Sequence, residues 1–345
     1  MSRFLLHAPN VHVGGGAVLL RALLQAWPAD QSLYAWLDER ARGQLPLPPL
    51  AQVEWVQPRV RSRLGAERSL QATAQPGDRL LCFHGLPPLW PSRARVAVFV
   101  QNRLLLGAMS LQGFGPRTRL RLRVERLMAW RLRGHVQDYW VQTRSMAEAL
   151  QLWWGAGPVP PVHVLGFSAP AQAVTSNEPS GSGARHDFVY VADGEAHKNH
   201  RRLVEAWALL AADGMRPSLA LTLGERDAAL AGWVHERAES LGLAIELLPR
   251  LSHAEVLAMY RRAGALIFPS LGESYGLPLI EAAQAGLPIL AAEADFVRDV
   301  CVPAQCFDPH SPRSIARAVR RHLGQPEAPG APATAADFLA ALQAS

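Results

Sequence analysis

Lysine is almost missing from this chain. Lysine and arginine together number 35 among 345 residues, yet Lys198 is the only lysine. In a chain so biased toward arginine, one retained ammonium marks a position where a compact point charge serves and a planar guanidinium does not. Cysteine is scarce as well. Cys82, Cys301 and Cys306 form neither an even disulfide framework nor a zinc spacing, which points to a reducing compartment and to small buried side chains. No run of about eighteen apolar residues occurs, so no membrane-spanning helix is expected. The opening MSRFLLHAPNVHVGGG has a short apolar run broken by His7, Pro9 and Asn10, and reads as a first strand rather than a secretory signal. Gly14 to Gly16 is not the GxGxxG dinucleotide fingerprint, and no acid in the expected strand-end context supports ribose recognition there. His197 and His200 could share a helix face but lack a third ligand, so neither metal nor cofactor is expected.

With 49% hydrophobic and 19% charged residues the composition is globular, and the length suits two domains. Strand-like runs alternate with helical ones, the pattern of α/β domains with parallel sheets. Strands are predicted at 4–7, 80–83, 96–100 and 139–142, with a helix over 17–27 after the glycine triplet. The pattern restarts at Phe188, with further strands at 220–223, 245–247, 265–268 and 289–291. Residues 169–187, rich in Pro, Ala, Ser and Gly, read as a linker between domains at 1–168 and 188–324. A Pro/Ala tract and a short helix fill 325–345, and this tail could cross back onto the first domain.

The most informative stretch is IFPSLGESYGLPLIEAAQAGLPILA, from Ile267 to Ala291. Its apolar start reads as a buried strand, Pro269 to Tyr275 as a turn, and Pro278 suits the first turn of a helix. Glu273 then lies on the loop and Glu281 one turn into the helix. The free amides of Ser274, Tyr275, Gly276 and Leu277 point out of the helix start, a ready site for phosphate, while each carboxylate can accept bonds from neighbouring hydroxyls. Lys198 lies at a second strand-to-helix turn, between Phe188–Val191 and an amphipathic helix over 199–210. In an open α/β sheet that is the carboxyl-end crevice where ligands bind.

Pro269, Ser270, Glu273, Ser274, Tyr275, Gly276, Leu277, Pro278, Glu281, Ala282, Gly286 and Pro288 together resemble the nucleotide-sugar signature of the retaining glycosyltransferases of family 4. The resemblance is close over much of the second half and follows the first half in outline. It implies the GT-B fold, two facing Rossmann-like domains with parallel sheets and an interdomain cleft, and transfer of a hexose from a UDP- or GDP-sugar to an acceptor hydroxyl with retention and without metal. It implies that Lys198 and Glu273 act at the diphosphate and the sugar, that Glu281 holds the ribose hydroxyls, and that Gly15 and Gly16 line the cleft facing the donor. His84, Gln101 and Asn102, each following a strand, become acceptor or cleft residues. The acceptor would be a saccharide or lipid-linked, and the setting cytoplasmic, in surface polysaccharide or glycolipid assembly. One departure stands out: where many members carry arginine five residues before the lysine, this chain has Asp193, with Arg226 as a candidate replacement.

Residues 117–133 interleave seven arginines with Leu120, Leu122, Val124, Leu127, Met128, Trp130 and Leu132, the composition of an interfacial helix on an anionic membrane. The net charge of +6 points the same way, and no nucleic-acid motif accompanies it. Two other readings of the carboxylate pair stay open: a non-catalytic sugar-nucleotide-binding protein, suggested by Asp193, and a glycoside hydrolase with Glu273 and Glu281 as acid and nucleophile.

Overall fold

A computed structural model describes residues 3–107, 109–155, 157–167 and 186–327. The proposed linker up to 185 and the terminal tract beyond 327 lie outside the described residues. The first lobe holds seven parallel strands, β1 (Phe4–Ala8), β2 (Leu33–Asp38), β3 (Ala51–Val56), β4 (Arg79–Cys82), β5 (Arg95–Phe99), β6 (Asp138–Val141) and β7 (Val162–Val164), in the order 3-2-1-4-5-6-7. The second holds β8 (Phe188–Val191), β9 (Leu219–Thr222), β10 (Ile245–Leu248), β11 (Ala265–Phe268), β12 (Ile289–Ala292) and β13 (Gln305–Phe307), in the order 10-9-8-11-12-13. Both sheets are doubly wound, so the strand order reverses beside β1 and β4 in one and beside β8 and β11 in the other. Ligands of such sheets bind at these reversals.

The central strands read as near-continuous apolar runs because helices cover both sheet faces. β9, β11 and β12 are buried at every residue. In the first lobe α1 (Gly14–Gln25), α2 (Val60–Thr73), α3 (Pro116–Leu132) and α4 (Arg144–Trp154) connect the strands. The second has α5 (His200–Ala212), α6 (Ala228–Leu241), α7 (His253–Tyr260), α8 (Leu277–Gln284), the one-turn α9 (Asp295–Arg298) and α10 (Pro312–His322). The apolar stripe read for the helix after Lys198 is the buried face of α5, where the Trp207 indole also donates to the Pro217 carbonyl at 2.8 Å.

Two local expectations are corrected. The glycine triplet is the first turn of α1 rather than a loop before it, with Gly14 at φ +68° where a side chain would be strained. A strand-end acid is also present, since Asp38 closes β2 fully buried; its carboxylate is spent on Arg40, which it holds at 2.7 and 2.9 Å. The lobes meet directly. The Ser145 amide at the start of α4 donates to Asp299 at 2.9 Å, and Leu277 packs into the core formed around β1 and α1.

Candidate active site

Lys198 is positioned by its neighbour. Asn199 takes up a left-handed conformation, φ 64°, which asparagine tolerates better than most residues, and this turns the chain from the β8 loop into α5. The buried Asn199 side chain donates to the carbonyls of Pro269 at 3.1 Å and Pro309 at 2.7 Å, tying together the loops after β8, β11 and β13. Leu271 adds a backbone bond to the His197 carbonyl at 2.8 Å, and the Tyr190 hydroxyl donates to the Lys198 carbonyl at 2.8 Å.

Held this way, Lys198 Nζ donates to Glu273 Oε1 at 2.8 Å, and Ser270 Oγ donates to the same oxygen at 2.7 Å. Both charged side chains are largely enclosed, 17% and 11% exposed. Burial pulls the ammonium's pKa down and pushes the carboxyl's up, but the charge of each partner outweighs it. Lys198 therefore stays charged above the usual lysine range and Glu273 below the usual carboxylate range.

The pair opens on a cleft of about 740 Å³ between the lobes. Lys198, Glu273, Ser274, Asp193 and Arg226 line it from the second lobe, and Gly16, His84, Gln101 and Asn102 from the first. Gly15 lies beside that lining, where an added Cβ would come within 3.2 Å of Leu277 Cδ1. Tyr275, Gly276, Leu277 and Glu281 do not line this cavity. Tyr275 instead lies over Gly166 of the first lobe, and Leu277 is turned into the first-lobe core. Glu281 sits one turn into α8, as its spacing implied, where Oε1 meets His253 Nε2 at 3.0 Å. Burial raises the Glu281 pKa, and His253 works against that.

Two cleft residues have structural duties. Gln101 Nε2 donates to the Phe83 carbonyl at 2.5 Å, and Asn102 Oδ1 caps the turn at Leu104. His84 Nδ1 lies 3.2 Å from the His7 carbonyl, and burial lowers its pKa to about 4, so the ring is neutral. His197 and His200 part company: His197 stacks on Phe114 across the lobes, while His200 is buried against Tyr190. Sequence reasoning missed His253 and His12. Their signals were a histidine next to the SHAE capping box and another just before the glycine triplet. His12 lines the cleft with Nδ1 3.6 Å from Asp38, a partner that only the fold supplies.

Residues 177–336 match the family described as Glycosyl transferases group 1. The serotype-specific mannosyltransferase WbdA of Escherichia coli is 29% identical over 194 residues, 54% of this chain and 23% of that protein. A D-inositol 3-phosphate glycosyltransferase of Thermobifida fusca is 35% identical over 95 residues, 26% of this chain and 22% of that protein. The chain thus spans about a quarter of the length of these curated relatives. Among solved structures, the Anabaena protein HepE in complex with UDP and glucose superimposes with a TM-score of 0.67 at 15% identity, over 94% of this chain and 90% of that one. WaaG, a glycosyltransferase involved in lipopolysaccharide biosynthesis, gives 0.64 at 16% identity, over 94% and 91%. Residues 177–336 therefore carry a Glycosyl transferases group 1 domain, set in a chain with the GT-B fold.

Proposed function

We propose that the chain is a retaining, metal-independent glycosyltransferase of family 4 that moves a hexose from a UDP- or GDP-sugar to an acceptor hydroxyl in surface polysaccharide or glycolipid assembly. One observation carries the reading: the sole lysine and Glu273 form an enclosed ion pair at the strand reversal of the second lobe, facing polar groups of the first across one cleft. The acceptor oxygen bonds to the anomeric carbon as the bond from that carbon to the donor phosphate breaks. The departing phosphate oxygen takes the acceptor proton on the same face.

Lys198 neutralises the charge growing on the diphosphate, where a preorganised cation in a partly dry cleft acts strongly. Arg226 reaches the same cleft from the loop after β9 and supplies the second positive charge in place of the residue at Asp193. Glu273 orients the sugar with the amides at the start of α8, and Glu281, steadied by His253, takes the ribose hydroxyls. His84 presents a neutral ring to the acceptor side. The similarity to WbdA, a mannosyltransferase, to WaaG, a glycosyltransferase of lipopolysaccharide biosynthesis, and to HepE, which binds UDP and glucose, supports sugar transfer from a nucleotide donor. A hydrolase built on Glu273 and Glu281 needs those two carboxyls facing each other across one bond, whereas of that pair Glu273 alone lines the cleft and Glu281 is engaged with His253.

Calorimetry with UDP and GDP, followed by mass-spectrometric screening of intact donors for transfer, tests the proposal. Lys198→Ala lowers mainly turnover and Glu281→Ala mainly donor affinity. Binding without turnover would leave a sugar-nucleotide-binding protein, and wild type that binds neither nucleotide would overturn the reading.

A further inference from the structure

The carboxyl ends of a parallel sheet face the crevice, and in the first lobe these ends gather cations. Arg40 follows β2, Arg63 stands in the first turn of α2 after β3, and Arg103 follows β5; all three line the cleft, as does Arg121 of α3. Asp38 occupies Arg40, and Glu125, the one acid of this lobe in the lining, lies 3.9 Å from Arg121. Burial raises the Glu125 pKa despite the nearby charges of Arg121 and Arg63, which weakens the one competing carboxylate. Arg103 meets the Ser145 hydroxyl at 3.3 Å. Arg63 is half-buried, and its Nε is enclosed without a hydrogen-bond partner among the described residues. Asn10 Oδ1 and both ring nitrogens of His12, on the loop after β1 in the same lining, are enclosed and unpartnered too. Folded proteins pair nearly all such groups, so this wall is shaped for something that brings both hydroxyls and a negative charge.

We propose that this wall is the acceptor subsite for a saccharide carrying an anionic group, a phosphate monoester or a carboxylate, which the Arg63 guanidinium receives while Asn10 and His12 take hydroxyls. The word acceptor rests on the transferase reading; the binding of an anionic saccharide does not. Position separates this anion from the donor diphosphate. The charges acting most on Lys198 and Glu273 come from Asp193, Glu195, His197 and each other, all in the second lobe. The Arg63 charge acts instead on His84 and Glu125 of the first lobe. A neutral saccharide would satisfy Asn10 and His12 but leave the guanidinium without a counter-charge, and a free phosphate would do the converse. The planar fork of arginine matches the edge of a phosphate or carboxylate, and half-enclosure strengthens that pair over one in open water.

The test is saturation-transfer NMR and calorimetry on the full chain, with and without UDP and GDP. The probes are glucose, galactose and mannose, their 6-phosphates, glucuronate, galacturonate and inorganic phosphate. We expect at least one anionic sugar to bind in the presence of nucleotide, about tenfold or more tightly than its neutral parent and more weakly as salt is added. Binding of 6-phosphates alone marks a phosphate site, and of uronates alone a carboxylate site. Arg63→Gln costs the anionic sugar about 10- to 100-fold in affinity, and Arg63→Lys recovers part of the loss. Because Arg63 Nε has no partner among the described residues, Arg63→Gln melts no lower than wild type, whereas removing an arginine that held the lobe together would lower the transition. Arg61→Gln, exposed in the same turn, leaves sugar binding unchanged. Nucleotide binding without any anionic sugar bound would overturn the proposal, as would neutral parents that bind equally well. So would inorganic phosphate that binds as tightly as any sugar phosphate, or nucleotide that displaces the anionic sugar, which puts the anion at Lys198. A chain that binds anionic sugars but neither nucleotide keeps the subsite and loses the transferase reading.

Discussion

Replacing Lys198 by Met tests the ion pair that anchors the site. The substitution keeps the volume and removes the charge, which leaves the Glu273 carboxylate, 11% exposed, with Ser270 Oγ as its remaining side-chain donor among the described residues. Breaking an enclosed pair on one side costs about 3–5 kcal/mol, because a buried charge is left uncompensated. For a lobe of this size melting separately, the lower figure shifts the transition by roughly 10 °C. Glu273→Gln in the same background removes the orphaned charge and should recover much of the loss, so the two substitutions couple by about 2 kcal/mol or more. The pH dependence has a definite sign. In wild type the depressed Glu273 pKa contributes stability above the ordinary carboxylate range, lost as pH falls through its folded value. Without Lys198, burial dominates and the carboxyl's pKa rises, so the variant gains stability as the solution is acidified. His197 and His200, both repelled by Lys198, shift in the same direction. The gap in melting temperature between wild type and variant therefore narrows between pH 8 and pH 6. Calorimetric melts of the four proteins across that range decide it. Strictly additive losses, or a gap that widens on acidification, would refute the argument.

Two further outcomes follow from the interior. Burial holds His7 far below the usual range, His84 at about 4 and His200 at about 3, so these rings stay neutral until the chain unfolds. A base with a depressed folded pKa contributes full stability above about pH 6.5 and loses it below. Three of them together cost about 4 kcal/mol one pH unit below that point, so circular dichroism should show unfolding near pH 5; a fold intact at pH 4.5 contradicts this. Glycine substitutions should part in sign. Gly166→Ala would set a Cβ 2.7 Å from the Tyr275 hydroxyl and 2.8 Å from the Gln142 carbonyl, costing about 1–3 kcal/mol and weakening UDP or GDP binding through the displaced Tyr275. Gly65→Ala, in mid-α2 with open space around it, should instead stabilise by about 0.5–1 kcal/mol. Equal melting shifts for the two would show that the packing at Gly166 is not as described.

The second lobe was the more legible half. Its strands are short apolar runs bounded by turns, and its helix starts carry local chemistry, proline in the first turn of α8 and Asn199 before α5. β2, β3, β7 and β13 were not read from the sequence. LYAWLD in β2 and VHV in β7 are too short or too mixed to stand out, and the glycine triplet reads as a loop because glycine disfavours helix except at its ends. The Asp38 and Arg40 pair was invisible because it depends on where β2 stops.

The sequence by itself determined the parallel α/β architecture, the strand-to-helix turns that carry Lys198 and Glu273, and the place of Glu281 one turn into α8, since each follows from periodicity and local turn chemistry. Tertiary structure alone decided the partners. The 75-residue separation of Lys198 and Glu273 is closed by the adjacency of β8 and β11, His253 reaches Glu281 because α7 packs beside α8, and Leu277 leaves the donor loop for the first-lobe core. Such pairings depend on which elements become neighbours. Sheet order and lobe docking fix that through long-range burial, and no local pattern encodes it.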